Sequence, residues 1–236
     1  MAINFQPIYV LATGGERALD NIDITTNNIS NSSTPGFKKL LMREFSQKIP
    51  ENLGKTSELF VFPRFQDSPV IVNQGALIKT DNMFDVAIQG KGFFAVQTQN
   101  GVVYTRNGHF FRNAEGYLVD ANGNYILDTN NQRIRLTADK VIFGTDGAVI
   151  QNNQVVARLQ IRNFQNIIPL GNGYYQGQNE IQPQYTLNQG FLESSNSNAI
   201  EEMISLINNH RRFDIYMNLI KSLDTLEGKV NEIGRV

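Results

Sequence analysis

Residues 25–38 read Thr-Thr-Asn-Asn-Ile-Ser-Asn-Ser-Ser-Thr-Pro-Gly-Phe-Lys, and this stretch decides how the chain is organised. Upstream of it, apolar and small residues alternate three and four apart, which is the spacing of one helix face. Asparagine and serine side chains compete for backbone hydrogen bonds, and Pro35-Gly36 suits a type II turn, so the helix should end here. The sequence therefore predicts an N-terminal helix in residues 1–36, with a narrow seam at Ile8, Leu11, Gly15, Ala18, Ile22, Thr25 and Ile29.

A second helix is predicted in residues 197–236, which contain no proline. The nine-residue step from Ile207 to Tyr216 interrupts the heptad spacing, so we expect the buried face to rotate near residues 210–213. Two helices with single seams could pair with each other, with neighbouring chains, or with both. The predicted C-terminal seam comprises Ile200, Met203, Ile207, Tyr216, Leu219, Leu223, Leu226, Val230 and Ile233.

Residues 81–180 predict a β domain. Short apolar runs alternate there with turns that contain glycine and asparagine, as in hairpins. Residues 37–80, which include several prolines, predict an extended connector, and residues 181–196 predict a returning connector. The expected fold class is α+β, with coiled-coil-type N- and C-terminal helices that flank an inserted all-β domain.

Composition narrows the function classes. The 236 residues are 41% hydrophobic, which suffices for a core, and the net charge of -1 gives no basic footprint for nucleic acid. The chain has no cysteine, which excludes disulfides and thiolate chemistry. The N-terminus lacks the basic and apolar regions of a cleavable signal peptide, and no apolar run is long enough to span a bilayer.

Several motifs suggest enzyme chemistry, but simpler explanations fit each one better. Gly90–Ala95 follows the dinucleotide pattern G-x-G-x-x-A, yet a strand rather than a helix is predicted after the glycines, so a hairpin turn is favoured. Asp120–Asn124 resembles a calcium loop, but its glycine stands fourth instead of sixth, which favours a β-turn. His109 and His210 lie in different predicted regions and are expected to be structural. We therefore expect no catalytic residues, cofactor, metal or small-molecule substrate.

Both ends of the chain carry sequence motifs that resemble those of one protein family. Residues 27–38 follow the pattern N-N-[LI]-[AS]-N-x-x-T-x-G-[FY]-[KR], which resembles the N-terminal signature of flagellar rod, hook and hook-associated proteins. Residues 196–213 resemble the C-terminal signature of the same family, although His210 replaces its commoner glutamine. The β domain and return connector of that family are resembled by residues 74–77, 85–94, 104–110 and 189–196. The residues that carry the N-terminal resemblance are Asn27, Asn28, Ile29, Asn31, Thr34, Gly36, Phe37 and Lys38.

This resemblance implies a structural subunit of the bacterial flagellar basal-body rod, and not an enzyme. In that family the terminal helices pack into the inner tube of a helical polymer, so both seams would contact other copies of the chain and other rod subunits. The resemblance also implies delivery through the flagellar type III export apparatus, without a cleavable signal peptide, to the periplasmic rod. The assembled rod would transmit torque to the hook.

Two alternatives stay open at this point. The short connector in residues 37–80 favours the proximal rod subtype over a distal rod or hook-type axial subunit. From a different class, the chain could be a secreted ligand-binding or adhesion module that uses the Asn- and Tyr-rich residues 171–179. A solvent-facing loop explains that stretch more simply.

Overall fold

The computed structural model describes residues 6–48, 61–67, 69–138 and 140–233. The chain divides into two compact units. The helix unit comprises Met1–Ser30, Leu40–Pro69 and Asn198–Val236, and the β unit comprises Asn31–Lys39 and Val70–Ser197. An N-terminal helix, a mostly β central region and a C-terminal helix confirm the predicted α+β class.

The helix unit is built on an antiparallel pair of helices. It contains helix α1 (Gln6–Ser30), strand β1 (Arg43–Lys48), strand β2 (Val61–Asp67) and helix α2 (Ala199–Ile233). The N-terminal half of α1 meets the middle of α2, and the C-terminal end of α1 meets the start of α2. Strands β1 and β2 form an antiparallel hairpin, so the segment predicted as an extended connector contains regular structure. In the described part of the chain, neither helix is long and apolar enough to cross a membrane.

Helix α1 ends at Ser30, six residues before the predicted boundary. The chain then turns twice: the Thr34 amide donates to the Asn31 carbonyl at 3.1 Å, and the Phe37 amide donates to the Thr34 carbonyl at 3.3 Å. Gly36 has a φ of 70°, as the third residue of a type II turn requires. The predicted Pro-Gly turn is present, but it belongs to the β unit rather than to the helix.

The β unit contains all the remaining strands of the described chain. Turn chemistry sets their boundaries: β11 and β12, for example, are joined by Asn152 and Asn153, whose φ angles of 50° and 63° suit a two-residue type I′ turn. The strands are β3 (Leu77–Lys79), β4 (Val86–Lys91), β5 (Phe93–Thr98), β6 (Gly101–Thr105), β7 (Phe111–Arg112), β8 (Leu118–Val119), β9 (Tyr125–Ile126), β10 (Ile142–Phe143), β11 (Ala148–Gln151), β12 (Gln154–Arg158), β13 (Ile161–Gly171), β14 (Tyr174–Ile181), β15 (Gln184–Gln189) and β16 (Phe191–Glu193).

These strands form antiparallel sheets around one core. A seven-stranded sheet has the order β13-β14-β6-β5-β9-β8-β7, and β10-β11-β12 form a three-stranded sheet. Strands β15 and β16 pair with β4 and β3, so residues 181–196, which were expected to be a connector, belong largely to the β unit. The buried core comprises Val86, Ile88, Phe94, Val96, Phe110, Leu118, Ile126, Ile134, Leu136, Val141, Phe143, Val149, Leu159, Ile161 and Leu187.

Candidate functional site

Lys38, the last residue of the N-terminal motif, is fully buried in the β unit. Its Nζ lies 2.5 Å from Glu193 Oε1 and donates to the Asn73 carbonyl at 2.8 Å. Arg106 Nε lies 2.7 Å from the other carboxylate oxygen, Glu193 Oε2. Lys38, Arg106 and Glu193 are each at most 3% exposed, and we call these three side chains the ion cluster.

The remaining donors and acceptors of the ion cluster are also used. Arg106 donates to the carbonyls of Gly90, at 2.6 Å, and Gly92, while Glu193 Oε1 accepts the Gly75 amide at 2.9 Å. Buried charges are tolerated only when they are paired and hydrogen-bonded, and this cluster meets that condition. The glycines of the G-x-G-x-x-A motif therefore serve as a turn whose carbonyls bind Arg106, and strand β5 follows them as predicted.

Burial sets the electrostatics of this region. Desolvation lowers the pKa of Lys38 and of Arg106, and the charge of Glu193 opposes that shift in both cases. The pKa of Tyr175 is raised to about 12, again chiefly by burial. The Arg106 guanidinium remains charged at any ordinary pH. With Lys38 paired to the Glu193 carboxylate as an ammonium, the cluster carries two cations against one carboxylate.

The backbone around Lys38 is bonded to the segment that returns from the β unit. The Gly36 amide donates to the Glu193 carbonyl at 2.7 Å, and the Lys39 amide donates to Asn196 Oδ1 at 2.7 Å. The Lys38 amide donates to the Tyr175 hydroxyl at 3.0 Å. We call residues 36–39 the exit segment and residues 193–196 the return segment. The N-terminal motif and the return connector thus meet at one buried polar site.

The Asn28 side chain forms a comparable set of buried hydrogen bonds within the helix unit. It is 1% exposed; its Oδ1 accepts the Leu40 amide at 2.9 Å, and its Nδ2 donates to the Leu40 carbonyl at 2.9 Å. The same Nδ2 lies 3.3 Å from Glu202 Oε2 on α2. A side-chain amide offers a donor and an acceptor side by side, and asparagine places them at the Leu40 backbone, which explains why this residue suits its place in the motif.

The other motif residues have less central positions. Gly36 and Phe37 are buried with Lys38 in the β unit, and a Cβ on Gly36 would collide with the backbone of Arg106. The half-buried motif residues are Ile29, Asn31 and Thr34, and Asn27 is exposed on α1.

The predicted seam of α1 is its less exposed face. Gly15, Ala18 and Thr25 are buried. A Cβ on the adjacent Gly14 would lie 2.5 Å from Tyr216 Cε1, so the absence of a side chain there lets the tyrosine ring of α2 approach the α1 backbone. The half-buried members of the seam are Ile8, Leu11, Ile22 and Ile29.

The less exposed face of α2 differs from the predicted one. It keeps an unbroken alternation of three and four, so the expected rotation near residues 210–213 does not occur in the packing within one chain. Polar residues occupy positions on this face that were expected to be apolar. Glu202 Oε2 accepts a hydrogen bond from Asn28, and Asn209 Nδ2 lies 3.3 Å from Thr25 Oγ1. The face comprises Glu202, Leu206, Asn209, Phe213, Tyr216, Ile220 and Leu223, of which only Tyr216 and Leu223 were in the predicted seam.

The other predicted seam residues of α2 lie elsewhere on the helix. Ile200, Met203, Ile204 and Ile207 are 70%, 51%, 55% and 54% exposed and lie on the side opposite Glu202 and Leu206. We call these four side chains the outer apolar face. The remaining seam positions divide into Leu219 and Leu226, which are exposed, and Val230 and Ile233, which lie on α2 but whose side chains are outside the described residues.

The remaining candidate residues have structural partners. Asp120 Oδ1 accepts the amides of Asn122 and Asn124, both at 2.9 Å, as in a side-chain-stabilised β-turn. His109 Nδ1 lies 2.6 Å from Asp85 Oδ1, while His210 is exposed on α2. Across the described residues, no three histidine or carboxylate side chains are close enough together to hold a metal ion.

The Asn- and Tyr-rich stretch at residues 171–179 is mostly a strand and not the loop that was expected. Strand β14 begins at Tyr174, and Tyr175 is 2% exposed under the exit segment. Gly171 ends β13, and only residues 172 and 173 form the connection between β13 and β14.

The family resemblance includes Arg106, Glu193 and Asn196 without assigning them a role, and it gives none to Tyr175 within the stretch 171–179. A usable signal is present in the sequence. A lysine directly after Gly36-Phe37, an arginine directly after an apolar strand and a glutamate at the end of the run Phe191–Glu193 are charges in apolar surroundings, which must be paired if they are buried.

Sequence models of three families match the chain in order. Residues 8–38 match the family described as "Flagella basal body rod protein", and residues 87–151 match "Flagellar hook protein FlgE/F/G D1 domain". Residues 188–233 match "Flagellar basal body rod FlgEFG protein C-terminal". The exit segment lies at the end of the first match, and the return segment lies in the third.

Curated relatives match nearly end to end. The flagellar basal-body rod protein FlgF of Caulobacter vibrioides is 32% identical over 91% of this chain and 92% of its own length. The FlgG rod protein of Buchnera aphidicola subsp. Schizaphis graminum is 30% identical over 96% and 98%. The FlgF protein of Mesorhizobium japonicum is 32% identical over 84% of each chain.

Proposed function

Because the chain belongs to the flagellar basal-body rod protein family, we propose that it is a structural rod subunit that polymerises through α1 and α2. The resulting shaft transmits torque to the hook. The observation that carries this proposal is the outer apolar face, four large aliphatic side chains left exposed on α2 although the same helix already packs against α1.

Exposed apolar surface of this kind favours association. Burial contributes roughly 25 cal/mol for each Å² of apolar surface removed from water, and single exposed residues are common whereas adjacent ones indicate an interface. Ile200, Met203, Ile204 and Ile207 fall within two turns of one helix, so one partner helix can cover them together. Head-to-tail contacts of this type generate a filament when the rotation between subunits does not close a ring.

The predicted seam residues of α2 lie on two different faces, one that packs within the chain and one that packs between subunits. Tyr216 and Leu223 pack within the chain, while Ile200, Met203 and Ile207 pack against neighbouring subunits. Leu219 and Leu226, which are exposed, and Val230 and Ile233 further along α2 extend the contact between subunits. The coiled-coil character of the assembled helices belongs to this contact.

The partners follow from the same proposal. They are further copies of the chain, other rod subunits, and the flagellar type III export apparatus, which delivers the chain to the basal body. The relatives include both FlgF and FlgG proteins at similar identity. The short stretch at residues 37–80 supports the proximal subtype, and a distal rod or hook-type axial subunit is the alternative.

The test is Ile207→Asp, introduced into cells that lack the wild-type copy. A carboxylate on the outer apolar face has no partner in an apolar contact between subunits, so we expect no completed rod in electron micrographs and no swimming. The purified variant should keep the melting temperature of the wild-type monomer, because Ile207 is 54% exposed there.

Asn208→Asp is the matched control, because it places the same charge on the next residue, which is exposed and polar. Cells with this variant should swim. Normal swimming by Ile207→Asp cells would contradict polymerisation through the outer apolar face.

A further inference from the structure

We infer that the ion cluster is a latch: it joins the exit segment to the return segment, and it opens as a unit while the β core stays folded. The latch comprises the side chains of Lys38, Arg106 and Glu193 with the amides that they position. It acts in the single chain, so it stands apart from the proposed polymerisation.

The latch holds more positive than negative charge. Within the described residues, Glu193 is the only carboxylate that forms an ion pair with Lys38 or Arg106. The cluster holds two cations and one anion at 3% exposure or less, so water cannot take the place of the carboxylate. If Glu193 leaves, both buried cations lose their counter-charge, which strongly destabilises the closed cluster.

The three residues of the latch come from distant parts of the chain. Lys38 precedes every strand of the β unit, Arg106 follows β6 directly, and Glu193 ends β16, the last strand. The cluster therefore cannot form until the chain has passed through the whole β unit and returned. Lys38 is thus held within the β unit by a residue that lies 155 positions later.

Several backbone amides form hydrogen bonds to the return segment when the cluster closes. The Gly75 amide donates to Glu193 Oε1 and the Gly36 amide to the Glu193 carbonyl. Lys39 donates to Asn196 in the same segment. These amides are protected from solvent only while the return segment is in place, so their hydrogen exchange reports the latch directly.

The core of the β unit is held by bonds of its own. Arg106 reaches the core at strand β4, where its Nη2 donates to the Ile88 carbonyl at 3.4 Å. The central strands are joined by backbone bonds that involve none of the three charged residues, such as the Leu127 amide to the Ala95 carbonyl at 3.0 Å and the Ala95 amide to the Gln160 carbonyl at 3.1 Å. Opening the latch need not break these bonds.

The experiment measures amide hydrogen exchange in the purified full-length chain. Glu193→Gln keeps the shape of the side chain but leaves two buried cations without a counter-charge. Breaking a buried ion pair by removing one partner is strongly destabilising, so the Gly36, Lys39 and Gly75 amides should exchange at least about a hundredfold faster. The Ala95 and Leu127 amides should keep their wild-type rates.

Two further variants make the test specific. Glu180→Gln is the matched control, because it makes the same change in the exposed pair with Arg162 and should leave the exit segment unaffected. Adding Lys38→Met to Glu193→Gln removes one unpaired cation, so the double variant should exchange more slowly at Gly75 than Glu193→Gln alone.

Each outcome decides the inference. Unchanged exchange at Gly36 and Gly75 in Glu193→Gln would overturn it, because the cluster would then add nothing to the closure. Equal acceleration at Ala95 and Leu127 would also overturn it, since the cluster would be part of the core. A double variant that exchanges as fast as Glu193→Gln would refute the role of charge balance. None of these results depends on motility, which tests the proposed function separately.

Discussion

The β unit buries an apolar core within one chain, whereas no apolar side chain among the described residues of helix α2 is fully buried. Phe94, Val96 and Phe110 are 0% exposed in the β unit, although the outer strand faces of that unit also carry exposed apolar residues. On α2, Ile200 is 70% exposed and Leu226 is 57% exposed. The first region has a core that one chain completes, and the second has apolar surface that α1 covers only in part.

The geometry of the two element types explains this difference. Strands alternate their side chains between two faces, so two packed layers can bury all the inward residues. Apolar residues of α2 point to several sides of a cylinder, and one partner helix covers only one stripe of it. The helices should therefore respond to changes that affect association, and the β unit to changes that affect its own packing.

The largest expected effect is in the β core. Phe94→Ala removes a fully buried ring that contacts Phe110 with centroids 5.0 Å apart. We expect the free energy of unfolding of the β unit to fall by about 3–5 kcal/mol, measured by urea denaturation. Phe111→Ala, at a residue that is 41% exposed on β7, should cost much less. Equal losses in the two variants would mean that the core is not packed as described.

The second expected effect concerns the exit segment at alkaline pH. Tyr175 has a pKa of about 12 in the folded chain against an ordinary value of 10.0, so folding favours the protonated hydroxyl. Its contribution to stability is fully present below pH 10 and is lost as pH rises from 10 to about 12, which amounts to at most about 2–3 kcal/mol.

Tyr175→Phe isolates this contribution. Lys38 has a lowered pKa and contributes with the opposite sign, but it is present in both proteins. The free energy of unfolding of the wild type should therefore fall relative to that of Tyr175→Phe as pH increases above 10. A constant difference from pH 9 to pH 11.5 would contradict the buried, protonated hydroxyl.

Much of the β unit was predictable, because its sequence shows short apolar runs of strand length that are separated by turns containing glycine and asparagine. The run Phe93–Thr98 was predicted as a strand and is β5, and the glycines before it form a turn. The return connector was not recognised as strand, because the partners that make β15 and β16 part of the unit lie about a hundred residues earlier. Pairing over that distance leaves no local pattern.

The packed face of α2 was harder to predict for a different reason. Apolar spacing predicts a packed face made of apolar residues, whereas Glu202 and Asn209 occupy the face because they bond to Asn28 and Thr25. Apolar residues on the other side of α2 fit the same spacing equally well. The family motif likewise pointed to Lys38 without showing that Glu193 neutralises it, since a charge pair is visible only after the fold brings the residues together.

A smaller effect tests the contact between α1 and α2. Gly14→Ala would place a Cβ 2.5 Å from Tyr216 Cε1, so the ring must move. Overpacking of this kind costs roughly 1–3 kcal/mol, and alanine returns about 1 kcal/mol through its helix propensity. We expect the helical signal in far-UV circular dichroism to melt at a lower temperature.

Gly228→Ala provides the control within the same pair of helices. Nothing lies within 4 Å of a Cβ at Gly228, so only the propensity gain of about 1 kcal/mol remains. The helical signal of this variant should melt at the wild-type temperature or above. If Gly14→Ala behaves in the same way, Tyr216 does not pack on Gly14.

The smallest expected effect separates a hydrogen-bonded turn from a metal site. Both carboxylate oxygens of Asp120 are already in use: Oδ1 accepts two backbone amides, and Oδ2 accepts the Tyr174 hydroxyl at 2.5 Å. A calcium ion would have to displace these donors, and calcium needs six or more oxygen ligands. We therefore expect EDTA to leave the melting temperature of the β unit unchanged, and Asp120→Asn to lower it with or without EDTA. A decrease caused by EDTA in the wild type, reversed by calcium and absent from Asp120→Asn, would show that this turn binds the ion after all.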